Sequence, residues 1–190
     1  MEKIKLGFAV CGSFCTFSKA IEQMKELAKL NYEITPIFSE FACNTDTRFY
    51  KSEDFISEVE EICKNKAIKT ITDAEPIGPK KLFDIVAVAP CTGNTLAKLA
   101  AGITDTTVTM AVKAHLRNNR PVVLGVSTND ALGASAQNIG RLLNVRNIFF
   151  VPFRQDDSAK KPRSVVCDFT KLDDALKYAL KGEQLQPIMI

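Results

Sequence analysis

Residues 85–105 read Ile85-Val-Ala-Val-Ala-Pro-Cys-Thr-Gly-Asn-Thr-Leu-Ala-Lys-Leu-Ala-Ala-Gly-Ile-Thr-Asp105, and the rest of the chain is arranged around this segment. It begins with a run of small and β-branched apolar residues, which is typical of a buried strand in a parallel sheet, and Pro90 ends that run. Farther on, apolar residues recur with the spacing of a helix, at Leu96, Ala97, Ala100 and Ala101. The segment therefore predicts a strand, a polar turn and a helix.

The polar turn of this segment consists of Thr92, Gly93, Asn94 and Thr95. In an open α/β sheet, ligands bind in the crevice beyond the carboxyl ends of the strands, where this turn is expected to lie. The turn offers hydroxyls, an amide and a glycine but no carboxylate or histidine, which favours holding a polar ring or a phosphate over proton transfer. The alternative is that Thr92 or Asn94 only caps the following helix, as these residue types often do.

A second turn with similar properties follows the strand that is predicted at residues 4–10. It reads Cys11-Gly-Ser-Phe-Cys-Thr-Phe-Ser18, in which Gly12 allows close approach of a ligand and Ser13 and Thr16 supply hydroxyls. The first amides of the helix that follows form an anion site. The turn lacks the three-glycine dinucleotide fingerprint and the glycine-lysine end of a triphosphate-binding loop, so it favours a mononucleotide with one terminal phosphate. A tight turn with a serine or threonine cap is the alternative.

Further strands are predicted at residues 33–38, 122–126 and 148–151, with a short strand at 69–71 and an extended segment at 165–167. Apolar stripes between the strands predict helices, so that five or six strands alternate with helices along the chain. This alternation predicts an α/β fold in three layers, with a Rossmann-like, doubly wound, mostly parallel sheet and right-handed crossovers. The sequence shows no internal repeat or linker, and we expect residues 1–190 to form a single domain.

Polar residues also fall at the ends of other predicted strands, where ligands bind: Ser39, Ser127 and Asn129. Two arginines are candidates for binding substrate carboxylates, because a guanidinium pairs with a carboxylate through two parallel hydrogen bonds. They are Arg48, in a polar loop, and Arg154. An exposed arginine without a partner is the alternative for Arg48.

Residues 152–163 are dense in charges of both signs and are predicted to be a long irregular segment, either a functional loop or a mobile one. Besides Arg154, this segment carries Lys160, Lys161 and Arg163. We expect that these cations can also receive carboxylates.

Composition argues against several classes of function. The formal net charge of +3 is too small to indicate nucleic-acid binding, and no apolar run of about 18 residues predicts a membrane-spanning helix. The six cysteines are scattered and the chain has one histidine, so the sequence predicts neither a zinc site nor a redox dithiol. We expect reduced thiols, no metal and a cytoplasmic protein. That histidine, His115, lies on an apolar helical stripe, which favours a packed side chain over a general base.

The two polar turns resemble those of a known family. The turn Gly12-Ser13 and the motif Pro90-Cys-Thr-Gly-Asn-Thr95 are similar to elements of the flavoproteins that include phosphopantothenoylcysteine decarboxylase, the peptidyl-cysteine decarboxylases and the flavin prenyltransferases. In that family, the Gly-Ser turn holds the phosphate of FMN, and a Pro-Ala-Ser-Ala-Asn-Thr motif lies against the flavin. The resemblance implies that this chain binds FMN at the same two places and forms homo-oligomers.

Over nearly its whole length, the chain resembles the family of dipicolinate synthase B subunits. Six segments carry this resemblance: Asn44-Thr-Asp-Thr-Arg-Phe49, Glu75-Pro-Ile-Gly-Pro79, Leu116-Arg-Asn-Asn-Arg-Pro-Val-Val123, Ser127-Thr-Asn-Asp-Ala-Leu-Gly133, Val151-Pro-Phe-Arg-Gln-Asp-Asp157 and Leu185-Gln-Pro187. The resemblance implies action with a separate NAD(P)-binding A subunit to oxidise dihydrodipicolinate to dipicolinate during sporulation. This substrate is a dicarboxylate, which Arg48, Asn129 and Arg154 are expected to contact. Two other roles stay open, a non-catalytic partner that activates the A subunit and an independent FMN-dependent decarboxylase or oxidoreductase.

Two departures from the cysteine decarboxylases bear on the reaction. Those enzymes use a histidine shortly before the aspartate that leads into the flavin-motif strand, and the matching position here is about Pro76. Their Pro-Ala-Met-Asn motif for substrate recognition is replaced by Ser127-Thr-Asn-Asp130, in which only Asn129 matches. The sequence therefore disfavours oxidative decarboxylation of a cysteine but not FMN binding.

Overall fold

A computed structural model describes residues 2–190 of the chain. Strands and helices follow one another in this order: β1 (Ile4–Val10), α1 (Phe17–Lys29), β2 (Tyr32–Phe38), α2 (Glu40–Asn44), α3 (Ser52–Cys63), α4 (Ile71–Ala74), β3 (Ile85–Cys91), α5 (Gly93–Ala101), α6 (Thr107–Leu116), β4 (Val122–Thr128), α7 (Ala136–Leu143), β5 (Ile148–Phe150), β6 (Phe153–Asp157), β7 (Lys161–Cys167) and α8 (Leu172–Leu180). Short 3-10 turns precede α1 and α8 and follow α4.

The strands form one mixed sheet. Its parallel part has the order β2-β1-β3-β4, with β5 parallel to the first half of β4. At the end of β4, Ser127 and Thr128 pair instead with β7, which is antiparallel, and β6 is the outer strand beyond it. The structure confirms the predicted α/β fold with a doubly wound, mostly parallel sheet.

Helices cover both faces of the sheet. On one side α1 contacts α3, and α8 contacts β3, β4 and β5; on the other, α6 contacts α4 and α5, and α5 contacts α7. Every residue of β3 is buried, as expected for a central parallel strand with helices on both faces. Among residues 2–190, no helix combines the length and apolar character that crossing a bilayer requires.

The prediction of an irregular segment at residues 152–163 is wrong. Residues of this segment form β6 and the start of β7, an antiparallel hairpin with a turn in which Asp157 accepts hydrogen bonds from the amides of Ala159 and Lys160. Arg154, like much of the hairpin, is exposed, because β6 is an outer strand. The extended conformation that was predicted for 165–167 is confirmed as the end of β7.

Two further predictions need correction around the central strands. Residues 69–71 do not form a strand, since only Ile68 bridges to Ile37, and Thr70 instead accepts a hydrogen bond from the amide of Asp73 and caps α4. Pro90 does not end the central strand, because β3 continues through it to Cys91 with an irregular register.

Candidate ligand-binding site

A cavity of about 940 Å³ lies at the carboxyl ends of β1, β3 and β4. The chain passes from β1 outward to β2 and later returns to β3 on the other side of β1. This reversal is the switch point at which open α/β sheets bind ligands. Four walls enclose the cavity: residues 12–16 with Lys19 and Phe49, residues 92–94, residues 127–130, and Asp156, Lys161 and 164–166 of the hairpin.

The first wall is the turn between β1 and α1. The amide of Ser13 donates to the Cys11 carbonyl at 2.7 Å, and the Thr16 hydroxyl donates to the Ser13 carbonyl at 2.8 Å. These bonds hold the turn that leads into a 3-10 helix, whose first amides have no acceptor within that helix. The amide of Phe17, at the start of α1, donates to the Phe14 carbonyl. The Ser13 hydroxyl lies 3.0 Å from that of Ser127 and joins this wall to the end of β4. The wall presents hydroxyls and amides, which suit an anion.

The second wall is the start of α5. Thr92 caps this helix, because its hydroxyl accepts a hydrogen bond from the amide of Thr95 at 3.4 Å. The capping alternative for Thr92 is therefore realised, and Thr92 still lines the cavity. Asn94 lies two residues farther along, exposed at the cavity.

Position 93 favours glycine because space for a side chain is lacking, not because the backbone conformation is unusual. A Cβ at this position would lie 2.7 Å from Asp130 Oδ1 and 2.8 Å from Ser135 Oγ. Atoms in real proteins almost never approach a Cβ so closely, so a larger residue would displace the end of β4 from the start of α5.

The third wall follows β4 and is held by one carboxylate. Asp130 Oδ1 accepts hydrogen bonds from the hydroxyls of Thr128 at 2.5 Å and Ser135 at 2.9 Å. The same oxygen lies beside the start of α5, where a negative charge is stabilised by the helix dipole. Asn129, which follows Thr128, stays exposed at the cavity.

The fourth wall is the hairpin, which faces α1 across the cavity. Lys161 Nζ lies 2.7 Å from Asp156 Oδ2. This hydrogen bond lowers the pKa of Asp156 and raises the pKa of Lys161, so both groups stay charged near neutral pH. Lys19 of α1 brings a second ammonium group to the lining.

The structure brings most of the predicted cofactor residues together. The following predicted cofactor residues line the cavity: Gly12, Ser13, Thr92, Gly93, Asn94 and Ser127. Asn129, which was predicted to contact the substrate, lines it as well. Ser39 and Thr95 do not. The Ser39 hydroxyl accepts from the amide of Ala42 and caps α2, and the buried Thr95 hydroxyl donates to Cys11 Sγ at 3.2 Å. Burial raises the pKa of Cys11 to about 11, so this thiol stays protonated.

The two predicted substrate arginines lie outside the lining. Arg48 is exposed, with its guanidinium carbon 4.8 Å from the centre of the Phe49 ring, and Arg154 is exposed on β6. The cations that do line the cavity are Lys19 and Lys161. Lys161 was one of several candidates in its segment, whereas sequence reasoning missed Lys19, because nothing in a helical pattern tells which charged residue faces a distant hairpin.

The family profile described as Flavoprotein matches residues 1–175. The chain belongs to the flavoprotein family. The B subunit of dipicolinate synthase from Bacillus subtilis is 44% identical over 186 residues, which cover 98% of this chain and 93% of that protein. This similarity confirms the predicted resemblance to the B subunits and places the two polar turns of the cavity in a flavoprotein.

Solved structures agree with this family membership. The crystal structure of a dipicolinate synthase B subunit from Bacillus halodurans has a TM-score of 0.90 at 41% identity and covers 98% of this flavoprotein and 96% of that chain. The structure of the FMN-dependent cysteine decarboxylase SpaF has a TM-score of 0.68 at 21% identity and covers 95% of this chain and 97% of that chain. At that identity, the second likeness shows the fold alone.

Proposed function

We propose that this flavoprotein is the B component of a dipicolinate synthase, which binds FMN in the cavity and acts with an NAD(P)-binding A subunit to oxidise dihydrodipicolinate to dipicolinate. The observation that carries the proposal is the 44% identity to such a component over 98% of the chain. A cavity lined by hydroxyl and amide groups at the switch point of the sheet independently supports the part of the proposal that concerns a bound cofactor.

The residues of the cavity fit a flavin mononucleotide. The cavity volume of about 940 Å³ lies in the range of about 300–1,000 Å³ that is usual for small-molecule sites. Ser13 and the first amides of the 3-10 helix that follows it would hold the terminal phosphate. Thr92, Asn94 and Ser127 offer hydroxyl and amide groups for the polar edge of a ring, while Phe14 adds an apolar surface.

The proposed oxidation removes a hydride and a proton from a dihydropyridine. A bound flavin would supply the acceptor for the hydride, because protein side chains cannot accept one. The part of this chain is to bind and orient the dicarboxylate beside that acceptor and to exclude water from it.

We also propose that the protein forms homo-oligomers whose contacts adjoin the cavity. Phe41 is 67% exposed, and its Cβ lies close to Gly12. Phe49, which lines the cavity, is 47% exposed. Large apolar side chains that are exposed beside a ligand site are typical of surfaces that a second chain covers.

The first test is the visible absorption spectrum of the purified chain after addition of FMN and desalting. We expect flavin bands to remain with the protein. The variant Asn94→Ala should bind FMN roughly tenfold more weakly, because it loses a polar contact in the cavity. Asn144→Ala is the matched control, since Asn144 is exposed at the end of α7, outside the cavity lining. Equal FMN affinity in both variants would remove Asn94 from the flavin site.

The reaction is tested by adding the A subunit. We expect dipicolinate to form only when both subunits and a nicotinamide cofactor are present. A colourless chain that still stimulates the A subunit would favour the non-catalytic role, and turnover by the chain with FMN alone would favour an independent enzyme.

A further inference from the structure

Two lysines reach the cavity from opposite sides. Lys19 comes from the first turns of α1 and Lys161 from the first residue of β7. Lys161 pairs with Asp156, whereas Lys19 forms no salt bridge within residues 2–190. The position of Lys19 is nevertheless close enough to Asp156 for its charge to help lower the pKa of that carboxyl. The two lysines thus share one carboxylate.

The second carboxylate of the lining, Asp130, is held by hydrogen bonds within the protein. Its Oδ1 accepts two hydroxyl hydrogen bonds and lies at the start of α5. The group formed by Lys19, Asp156 and Lys161 carries a formal charge of +1 at the hairpin wall, while Asp130 is held at the start of α5. An anion that enters the cavity would meet this charge at the hairpin wall.

The hairpin holds its lysine in place before any ligand enters. Asp157 fixes the turn by accepting from the amides of Ala159 and Lys160, and Asp156 fixes the Lys161 ammonium at 2.7 Å. A cation that is positioned in advance loses little freedom when it binds an anion. Arg48 and Arg154 have no comparable position, since neither lines the cavity.

We propose that Lys19 and Lys161 bind a carboxylate of the dicarboxylate substrate, in the role that the sequence predicted for Arg48 and Arg154. This inference rests on the proposed function, because it takes the substrate class from it. Asp156 pairs with Lys161 beside the cavity, and the substrate carboxylate is attracted by the net positive charge of the group. Each lysine donates hydrogen bonds to the carboxylate as an ammonium ion, and no bond is made or broken.

The test is binding of pyridine-2,6-dicarboxylate to the full chain, measured by calorimetry in metal-free buffer of low ionic strength, with and without FMN. We expect Lys19→Met and Lys161→Met each to weaken binding roughly tenfold, as loss of a charged hydrogen bond does. Added salt should weaken binding to the unchanged chain, because the two lysines are exposed and screened. Lys160→Met is the matched control, since Lys160 is exposed in the hairpin turn and does not line the cavity. It should bind the dicarboxylate as the unchanged chain does.

Equal affinity in Lys160→Met, Lys161→Met and Lys19→Met would overturn the inference, as would an unchanged chain that does not bind the dicarboxylate. Thermal unfolding of each variant shows whether it is folded. FMN titration of the same variants separates this inference from the proposed function. Normal flavin binding together with lysine-independent dicarboxylate binding rejects the lysine site alone. A chain that ignores FMN but binds the dicarboxylate through both lysines rejects the flavin site and retains this one.

Discussion

At the scale of single residues, His115 links stability to pH. It is 1% exposed in α6, and its Nε2 donates to the Pro121 carbonyl at 3.1 Å. Burial lowers the pKa of His115 to about 4, against 6.5 for the free side chain. Below pH 6.5 the unfolded chain therefore binds a proton that the folded chain does not bind until about pH 4. The stability that neutral His115 provides is complete above pH 6.5 and is lost as the pH falls toward 4.

We expect the free energy of unfolding to fall by about 2 kcal/mol through His115 between pH 7 and pH 5. Urea denaturation at the two pH values measures this loss. The variant His115→Gln keeps a donor for Pro121 but does not titrate, so its loss over the same interval should be smaller by about that amount. Equal losses in the two proteins would show that His115 does not cause the pH dependence.

Single residues also show which features of the cavity could be predicted from the sequence and which could not. Gly12 and Asn94, which the sequence predicts to bind the cofactor, line the cavity, because the carboxyl end of a parallel strand fixes where the next turn lies. Ser39 and Thr95 satisfy the same rule, yet one hydroxyl caps its own helix and the other turns inward to Cys11. The direction of a hydroxyl depends on nearby partners, which the sequence does not reveal.

At the scale of elements, the start of α5 is held against the end of β4 through Gly93. We expect Gly93→Ala to lower the free energy of unfolding by about 1–3 kcal/mol, because the new methyl group would press on Asp130, Ser135 and Thr128. Since these residues shape two walls of the cavity, FMN affinity should fall as well. Chemical denaturation and flavin titration measure the two effects.

Gly140 provides the matched control for this substitution. It lies inside α7, and a Cβ there would meet no heavy atom within 4 Å. Gly140→Ala should therefore leave FMN affinity unchanged and raise stability by up to about 1 kcal/mol, because alanine favours a helix. Two variants that bind FMN equally well would show that close packing at Gly93 does not shape the site.

Strands and helices could be predicted from the sequence where their burial requires a regular pattern of apolar residues. β3 and the part of β1 after Lys5 are continuous apolar runs, because helices cover both faces of the sheet. β6 is different, since most of its residues are exposed and their polarity predicts a loop. Its strand conformation comes from pairing with β7, a contact between chain segments that local patterns do not contain.

At the scale of the whole molecule, the exposed phenylalanines beside the cavity predict how the protein assembles. Covering one phenylalanine on association contributes about 1.5–3 kcal/mol, so its loss should weaken an assembly at least tenfold. We expect Phe41→Ser to shift the protein toward smaller species in sedimentation velocity. Flavin should also be lost more easily from the variant, because Phe41 adjoins Gly12 of the first turn.

Met189→Ser tests whether any exposed apolar residue would act in this way. Met189 is 71% exposed, more than Phe41, but it lies beside β6 near the chain end and does not line the cavity. If the oligomer contact adjoins the turn that contains Gly12, Met189→Ser should sediment like the unchanged protein while Phe41→Ser dissociates. A shift in both variants would indicate general loss of apolar surface, and a shift in Met189→Ser alone would place the contact at the hairpin edge of the sheet instead.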